Sequence, residues 1–252
     1  MLIIPAIDLQ NGRVVRLLRG VFSTETVYHD DPVAVAQRWF GEGARYLHVV
    51  DLDGARTGTL QHEAVIREIA AAAATHGAKI EVGGGVRSPE AIDALLQQGV
   101  DRVVLGTKAF EDEKFRRHVL AQYGERIAIA VDSHSGSIVT QGWTVANVNA
   151  STFHDTEHTF VTDLLRDGAR CLIYTEVTKD GTLAGPAVDG VQRLLDQVAG
   201  QAQVIASGGV GSLEHLQQLL ALSPAPYGII VGKALYDGRV ELAKALALTA
   251  GG

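Results

Sequence analysis

At 252 residues, with 46% apolar and 20% charged side chains and a formal net charge of −7, the chain has globular composition, which excludes a disordered one. The negative balance argues against nucleic acid or an anionic membrane as partner, and no run of about 18 apolar residues offers a membrane span. The N-terminus lacks a basic segment and reaches Asp8 too soon for a signal peptide, and the one cysteine, Cys171, forms no internal disulfide, so a cytoplasmic protein is expected.

The first apolar run, Leu2 to Ile7, leads through a turn at Gln10-Asn11-Gly12 to a further apolar stretch, Val14 to Leu18. Helical periodicity spans about Pro32 to Glu42, then a second strand-like run covers Tyr46 to Val50, with a helix from about Gln61 to His76. Lys79 to Val82 is the third run, after which Ser88 can cap a helix with Pro89 at its first position. Arg102 to Leu105 is the fourth, with a helix from about Asp112 to Gln122. Ile127 to Val131 is the fifth, with a helix from about Thr159 to Asp167. Arg170 to Thr175, Gln203 to Ala206 and Tyr227 to Val231 complete eight, followed by helices near Val188–Val198, Leu213–Leu222 and Val240–Leu248. Strands alternating with helices imply parallel βα units, and eight units in about 250 residues fit a closed (β/α)8 TIM barrel, a single α/β domain over residues 1–252.

The chain also repeats. Gly83-Gly84-Gly85-Val86 matches Ser207-Gly208-Gly209-Val210 at an offset of 124. Pro5-Ala6-Ile7-Asp8 matches Ile129-Ala130-Val131-Asp132 at 124, Leu47–Asp51 matches Leu172–Glu176 at 125, and Val104–Phe110 matches Ile230–Tyr236 at 126. The barrel is therefore read as two similar four-strand halves, about 1–123 and 124–252, with like equipment on opposite sides.

Barrel sites lie at the C-terminal ends of the strands. Asp8 and Asp132 fall there, on the first and fifth strands, facing each other across the mouth. A lone aspartate often caps a strand or holds a loop; a repeated, opposed pair suits proton transfer, one as base and one as acid. Glycine lets backbone N–H groups approach a phosphate closely. Gly208, Gly209, Gly232 and Lys233 make one such site, and Gly84, Gly85, Gly106 and Thr107 its equivalent. Two phosphate sites across one mouth imply a long substrate with a phosphate at each end. After the sixth strand, Gly181 can present its N–H to the second site and Asp180 can fix the turn, while Thr175 and Glu176 end the strand itself. The polar segment Arg16 to Asp31 reads as a lid, with Arg16 and Arg19 placed to meet an anion. Trp143 can stack on a flat heterocycle, and His48 reads as a structural barrel-interior histidine. His154 and His158, with Asp155 and Glu157 between, have helical metal-pair spacing, but further ligands are not evident and no metal is expected.

Ile4-Pro5-Ala6-Ile7-Asp8-Leu9, Val50-Asp51-Leu52-Asp53-Gly54-Ala55, Gly83-Gly84-Gly85-Val86-Arg87, Gly142-Trp143, Lys179-Asp180-Gly181-Thr182-Leu183 and Ser207-Gly208-Gly209-Val210 closely resemble the ProFAR isomerases of histidine biosynthesis along nearly the whole chain. The resemblance implies an Amadori rearrangement of a bisphosphate aminoaldose to its ketose, with no metal, flavin or nicotinamide; a monomer with a small-molecule substrate is expected. By resemblance Asp8 is the base. The acid is Asp132 or an acidic residue after the sixth-strand threonine, where many members carry aspartate and this chain has Glu176; Asp132 is favoured, with Thr175 and Glu176 in support. Three other readings stand beside it. The cyclase subunit of imidazole glycerol phosphate synthase shares the halves and the aspartates. A dual-substrate isomerase, also using phosphoribosyl anthranilate, often has an arginine where this chain has Gln141. A non-catalytic phosphate-binding barrel, or a flavin-binding one, would need the glycine loops but not the opposed carboxylates.

Overall fold

A computed structural model of the chain describes residues 1–140, 145–146 and 157–249. In chain order the elements are β1 (Leu2–Gln10), β2 (Arg13–Leu18), β3 (Val21–His29), α1 (Pro32–Gly41), β4 (Tyr46–Asp51), α2 (Leu52–Thr57) and α3 (Glu63–Thr75). Then come β5 (Lys79–Gly83), α4 (Pro89–Gln97), β6 (Arg102–Leu105), α5 (Thr107–Glu111), α6 (Glu113–Tyr123), β7 (Ile127–His134), β8 (Ser137–Thr140) and β9 (Val145–Ala146). The chain continues with α7 (Glu157–Arg166), β10 (Cys171–Glu176), α8 (Val188–Val198), β11 (Gln203–Ser207), α9 (Leu213–Leu220), β12 (Gly228–Val231), α10 (Lys233–Tyr236) and α11 (Leu242–Thr249).

Eight of these strands lie parallel in the order β1, β4, β5, β6, β7, β10, β11, β12, and β12 pairs with β1 to close the barrel. Strands covered by helices bury both faces, which is why their sequences are apolar throughout. The outward residues form the larger core under the helices, including Ile7, Leu47, Ile129 and Leu172. The inward residues alternate with them: Ile4, Ala6, Tyr46, Val104, Ala128, Cys171, Ile173, Ile205 and Ile230 fill the barrel itself. Helix starts follow local chemistry. Ser88 Oγ accepts from Ala91 N at 3.3 Å with Pro89 behind it, and Asp31 Oδ1 accepts from Val33 N and Ala34 N at 3.0 Å.

The halves repeat in backbone as well as in sequence. Gly84 and Gly85 have φ of 96° and 78°, their counterparts Gly208 and Gly209 89° and 80°. Gly106 before α5 has φ −111° and ψ −108°, and Gly232 before α10 has −108° and −104°. The segment read as a lid loop is instead an antiparallel hairpin: β2 pairs back on β1, with Asp8 opposite Val15, and β3 pairs with β2. Among the described residues no helix is long and apolar enough to cross a membrane.

Candidate active site

Because inward residues recur every second position, the last inward residue of each barrel strand borders the mouth. Asp8, Val50, Gly83, Gly106, Asp132, Thr175, Ser207 and Gly232 all line one cavity of about 260 Å³ at the C-terminal ends of the strands. The expected pair is thus present, with Thr175 in register beside Asp132. Gly84, Gly85, Thr107, Gly181, Gly208, Gly209 and Lys233 border the same cavity.

Arg16 sits inside the site. Its Nη1 donates to Asp8 Oδ2 at 2.6 Å, its Nη2 donates to the Ala6 carbonyl at 2.8 Å, and its guanidinium lies 5.6 Å from the Tyr236 ring. Tyr236 supports the same strand, its hydroxyl donating to the Ala6 carbonyl at 2.8 Å. Burial pulls the Arg16 pKa down, but Asp8, with Tyr236 and Asp180, outweighs it and holds the guanidinium above its ordinary value. Arg16 was expected to meet anionic substrate; its first partner is Asp8, because β2 folds back along β1. Arg19 is exposed instead, and its backbone N–H donates to the Asp180 carbonyl at 3.2 Å. That bond fastens the hairpin to the loop after β10.

The same loop delivers a third carboxylate. Its turns are tight: Lys179 N donates to the Glu176 carbonyl at 2.9 Å, Asp180 N to the Val177 carbonyl at 3.2 Å and Thr182 N to the Lys179 carbonyl at 3.1 Å. They swing Asp180 over the mouth into the field of Arg16, Asp8 and Asp132. Burial pushes its pKa up to about 6; Arg16 opposes this, and the charges of Asp8 and Asp132 add to it. Asp180, read as a turn residue, therefore belongs with the titratable groups of the site. The Lys-Asp-Gly-Thr turn marked its place, but its approach to Asp8 depends on loop curvature that spacing does not reveal.

Glu176 requires the opposite correction. It follows inward-facing Thr175, so it faces away from the barrel axis and is not part of the cavity lining. Its Oε1 accepts from Thr178 Oγ1 at 2.8 Å and from the Ser135 and Thr178 amides at 3.4 Å, tying two loops together. Lys233 borders the cavity, yet its ammonium donates to Asp237 Oδ2 at 2.6 Å and Tyr28 Oη at 2.9 Å. Tyr28 in turn donates to Asp237 Oδ1 at 2.6 Å, which anchors β3 on α10.

The glycine pairs mark close backbone approaches. A Cβ on Gly84 would overlap the Asp51 backbone, and one on Gly209 the Gly185 carbonyl, whose own amide donates to the Gly209 carbonyl at 2.9 Å. The Asp51 side chain in turn holds the segment between β4 and α3, accepting from Gly54 N (2.7 Å), Gln61 N (2.6 Å) and His62 N (3.0 Å). Trp143, Gln141, His154 and Asp155 lie outside the described residues. His158 is exposed on α7, and among the described residues no group of three or more His, Cys, Asp or Glu side chains could hold a metal ion.

Comparison with known proteins adds to this geometry. A family model described as "Histidine biosynthesis protein" matches residues 2–241. Among relatives, a protein of Thermomicrobium roseum is 48% identical over 96% of this chain and 94% of its own length. One from Desulforudis audaxviator is 45% identical over 98% and 91%, and one from Roseiflexus castenholzii 45% over 98% and 99%. All three are named 1-(5-phosphoribosyl)-5-((5-phosphoribosylamino)methylideneamino)imidazole-4-carboxamide isomerase.

Proposed function

Since the chain belongs to the histidine biosynthesis protein family, we propose that it is an aldose–ketose isomerase converting ProFAR, the compound its relatives are named for, to the ketose PRFAR. The observation that carries this reading is one cavity bordered by both glycine pairs and by Asp8, Asp132 and Asp180. A bisphosphate fits that layout, with Gly84, Gly85 and Thr107 facing one phosphate and Gly208, Gly209 and Gly232 facing the other. The first amides of α5 and α10 have no intrahelical partner and are suited to donate to phosphate oxygens.

The rearrangement needs an acid and a base. Protonation of the aldose ring oxygen breaks its bond to C1 and leaves a protonated Schiff base. A base takes the C2 proton; the C–H electrons form a C1–C2 double bond and the nitrogen regains its lone pair, giving an enolamine. The enol then loses its hydroxyl proton as C1 gains one, which yields the aminoketose. Asp8, ion-paired with Arg16, is the base. The acid moves from Asp132 to Asp180: burial and two neighbouring carboxylates hold a proton on Asp180 to about pH 6, near its working range. Asp132 contributes charge that keeps that proton in place, and Thr175 borders both. The hairpin covers the site, and Trp143 is the candidate to stack on the imidazole. A cytoplasmic monomer with a small-molecule substrate and no nucleic-acid partner completes the reading.

The test is turnover of ProFAR by the purified protein with a chelator present, with phosphoribosyl anthranilate in parallel. Turnover of ProFAR alone is expected. Turnover of both would make the enzyme dual-substrate, and turnover of neither would remove the isomerase reading.

A further inference from the structure

Beneath the aspartates the barrel interior carries a run of polar and charged side chains on β4, β5 and β6: His48, Glu81 and Arg102. His48 lies beside Ala6 in register and borders the cavity one layer beneath Asp8. Its Nδ1 is 2.7 Å from Glu81 Oε1, and Glu81 Oε2 accepts two bonds from Arg102, from Nε at 2.9 Å and Nη2 at 2.6 Å. Arg102 lies 5.0 Å from the Tyr46 ring, and the Glu81 side chain has no exposed surface. Burial would push the Glu81 pKa up, but His48 and Arg102 outweigh it and hold the carboxyl below its usual value. At the offsets of the internal repeat, His48, Glu81 and Arg102 correspond to Ile173, Ile205 and Gly228. The fold thus has an apolar solution for these positions, and buried charge is rarely retained for stability alone.

Glu81 as a carboxylate is acceptor-only, so the hydrogen between it and His48 belongs to Nδ1. Arg102 already balances the Glu81 charge, so with a neutral imidazole the trio is electrically neutral and Nε2 keeps a lone pair. We propose that His48 is a substrate-binding residue whose Nε2 accepts a hydrogen bond from a sugar hydroxyl at the cavity floor, with Glu81 and Arg102 as positioning residues that fix its tautomer. The proposal rests on the isomerase reading. It gives the two halves unequal floors: the His48 side takes a hydroxyl of the aminoaldose, and the Ile173 side offers only carbon.

The test begins with the unmodified protein, labelled with 15N-histidine, His48 being assigned by its loss in His48→Asn. The expected spectrum shows hydrogen on Nδ1 and a bare Nε2, whose resonance moves upfield on saturation with ProFAR or, separately, ribose 5-phosphate. His48→Asn keeps a donor toward Glu81 but lacks Nε2, and should raise KM about tenfold, the worth of one hydrogen bond, with kcat changed less. Glu81→Gln should mix the tautomers and raise KM in the same direction. Hydrogen on Nε2, an Nε2 signal indifferent to both ligands, or a folded His48→Asn enzyme with unchanged KM would overturn the proposal. The tautomer is read from the unmodified protein whether or not the variants fold. Failure of that protein to turn over ProFAR strikes the isomerase reading instead, and the ribose 5-phosphate response still decides the role of His48.

Discussion

Arg16 and Asp8 meet at 2.6 Å because β2 returns antiparallel along β1 and carries the guanidinium back beneath the hairpin to the strand that holds the carboxylate. The same hairpin that covers the cavity therefore supplies the countercharge of Asp8, the proposed base. Asp8→Asn should lower kcat by about 10²–10⁴, the usual range for a lost general base, while the far-ultraviolet spectrum stays that of the parent. A kcat within threefold of the parent would remove Asp8 from the chemistry.

Asp180 gives the clearest pH signature. Its folded pKa, about 6, stands above its ordinary value, so the proton is held more tightly in the folded state. The free enzyme should lose kcat/KM as pH rises through about 6, and the limb in kcat should lie higher, because a bound bisphosphate adds negative charge beside Asp180. The stability linkage has the same sign: the contribution is complete below the unfolded carboxyl pKa and is lost as pH rises through the folded one. Asp180→Asn should therefore be nearly inactive yet more stable than the parent above pH 6, by about 1–3 kcal/mol, with the gain vanishing near pH 4. Denaturant titrations at the two pH values check this, and equal differences at both would refute it.

The repeat makes Gly106 and Gly232 look interchangeable, but their surroundings differ. A Cβ on Gly106 meets only Ala130 Cβ at 3.8 Å, whereas one on Gly232 would overlap the Arg16 guanidinium. Gly232→Ala should displace Arg16 from Asp8 and lower kcat at least tenfold, while Gly106→Ala should act mainly on KM. Parallel steady-state kinetics of the two variants separate these outcomes.

The barrel was legible because each strand is a short apolar run and the helices between most of them are long enough to show a 3.6-residue period. The hairpin was not: the outer strand Val21–His29 is exposed or half-exposed along its whole length, so no apolar alternation marks it. α2, α5 and α10 run four to six residues, too short for periodicity to register. In the site, Asp8 and Asp132 were readable as repeated strand ends. Glu176 ends β10 as its place in the sequence implies, but adjacent strand residues face opposite ways, so inward-facing Thr175 turns Glu176 away from the cavity. Glu81 carries its own signal in the sequence: a charge alternating with outward-facing Ile80 and Val82 faces the barrel axis. Glu176→Gln should accordingly leave kcat within about threefold and loosen only the loops it joins, as hydrogen exchange at Ser135 and Thr178 would record.

Among the helices outside the barrel, Arg116 of α6 donates from Nε at 2.9 Å and Nη2 at 2.6 Å to Asp167 Oδ2, in the loop that enters β10, and from Nη1 at 2.8 Å to the Ala109 carbonyl. Both side chains are about 2% exposed or less. Burial would push the Asp167 pKa up, but Arg116 and Arg117 outweigh it, so the carboxyl is held below its usual value. Its stabilising contribution is therefore present above the unfolded pKa and lost as pH falls through the lower, folded one. Asp167→Asn strands a buried guanidinium and should cost about 3–5 kcal/mol at neutral pH, or roughly 10 °C in Tm. Loops at the N-terminal end of a barrel serve stability, so kcat measured well below the transition should match that of the parent. Calorimetry and turnover on the same sample separate the effects: an unchanged Tm would show that the pair contributes nothing, and a reduced kcat would show that the two ends of the barrel are coupled.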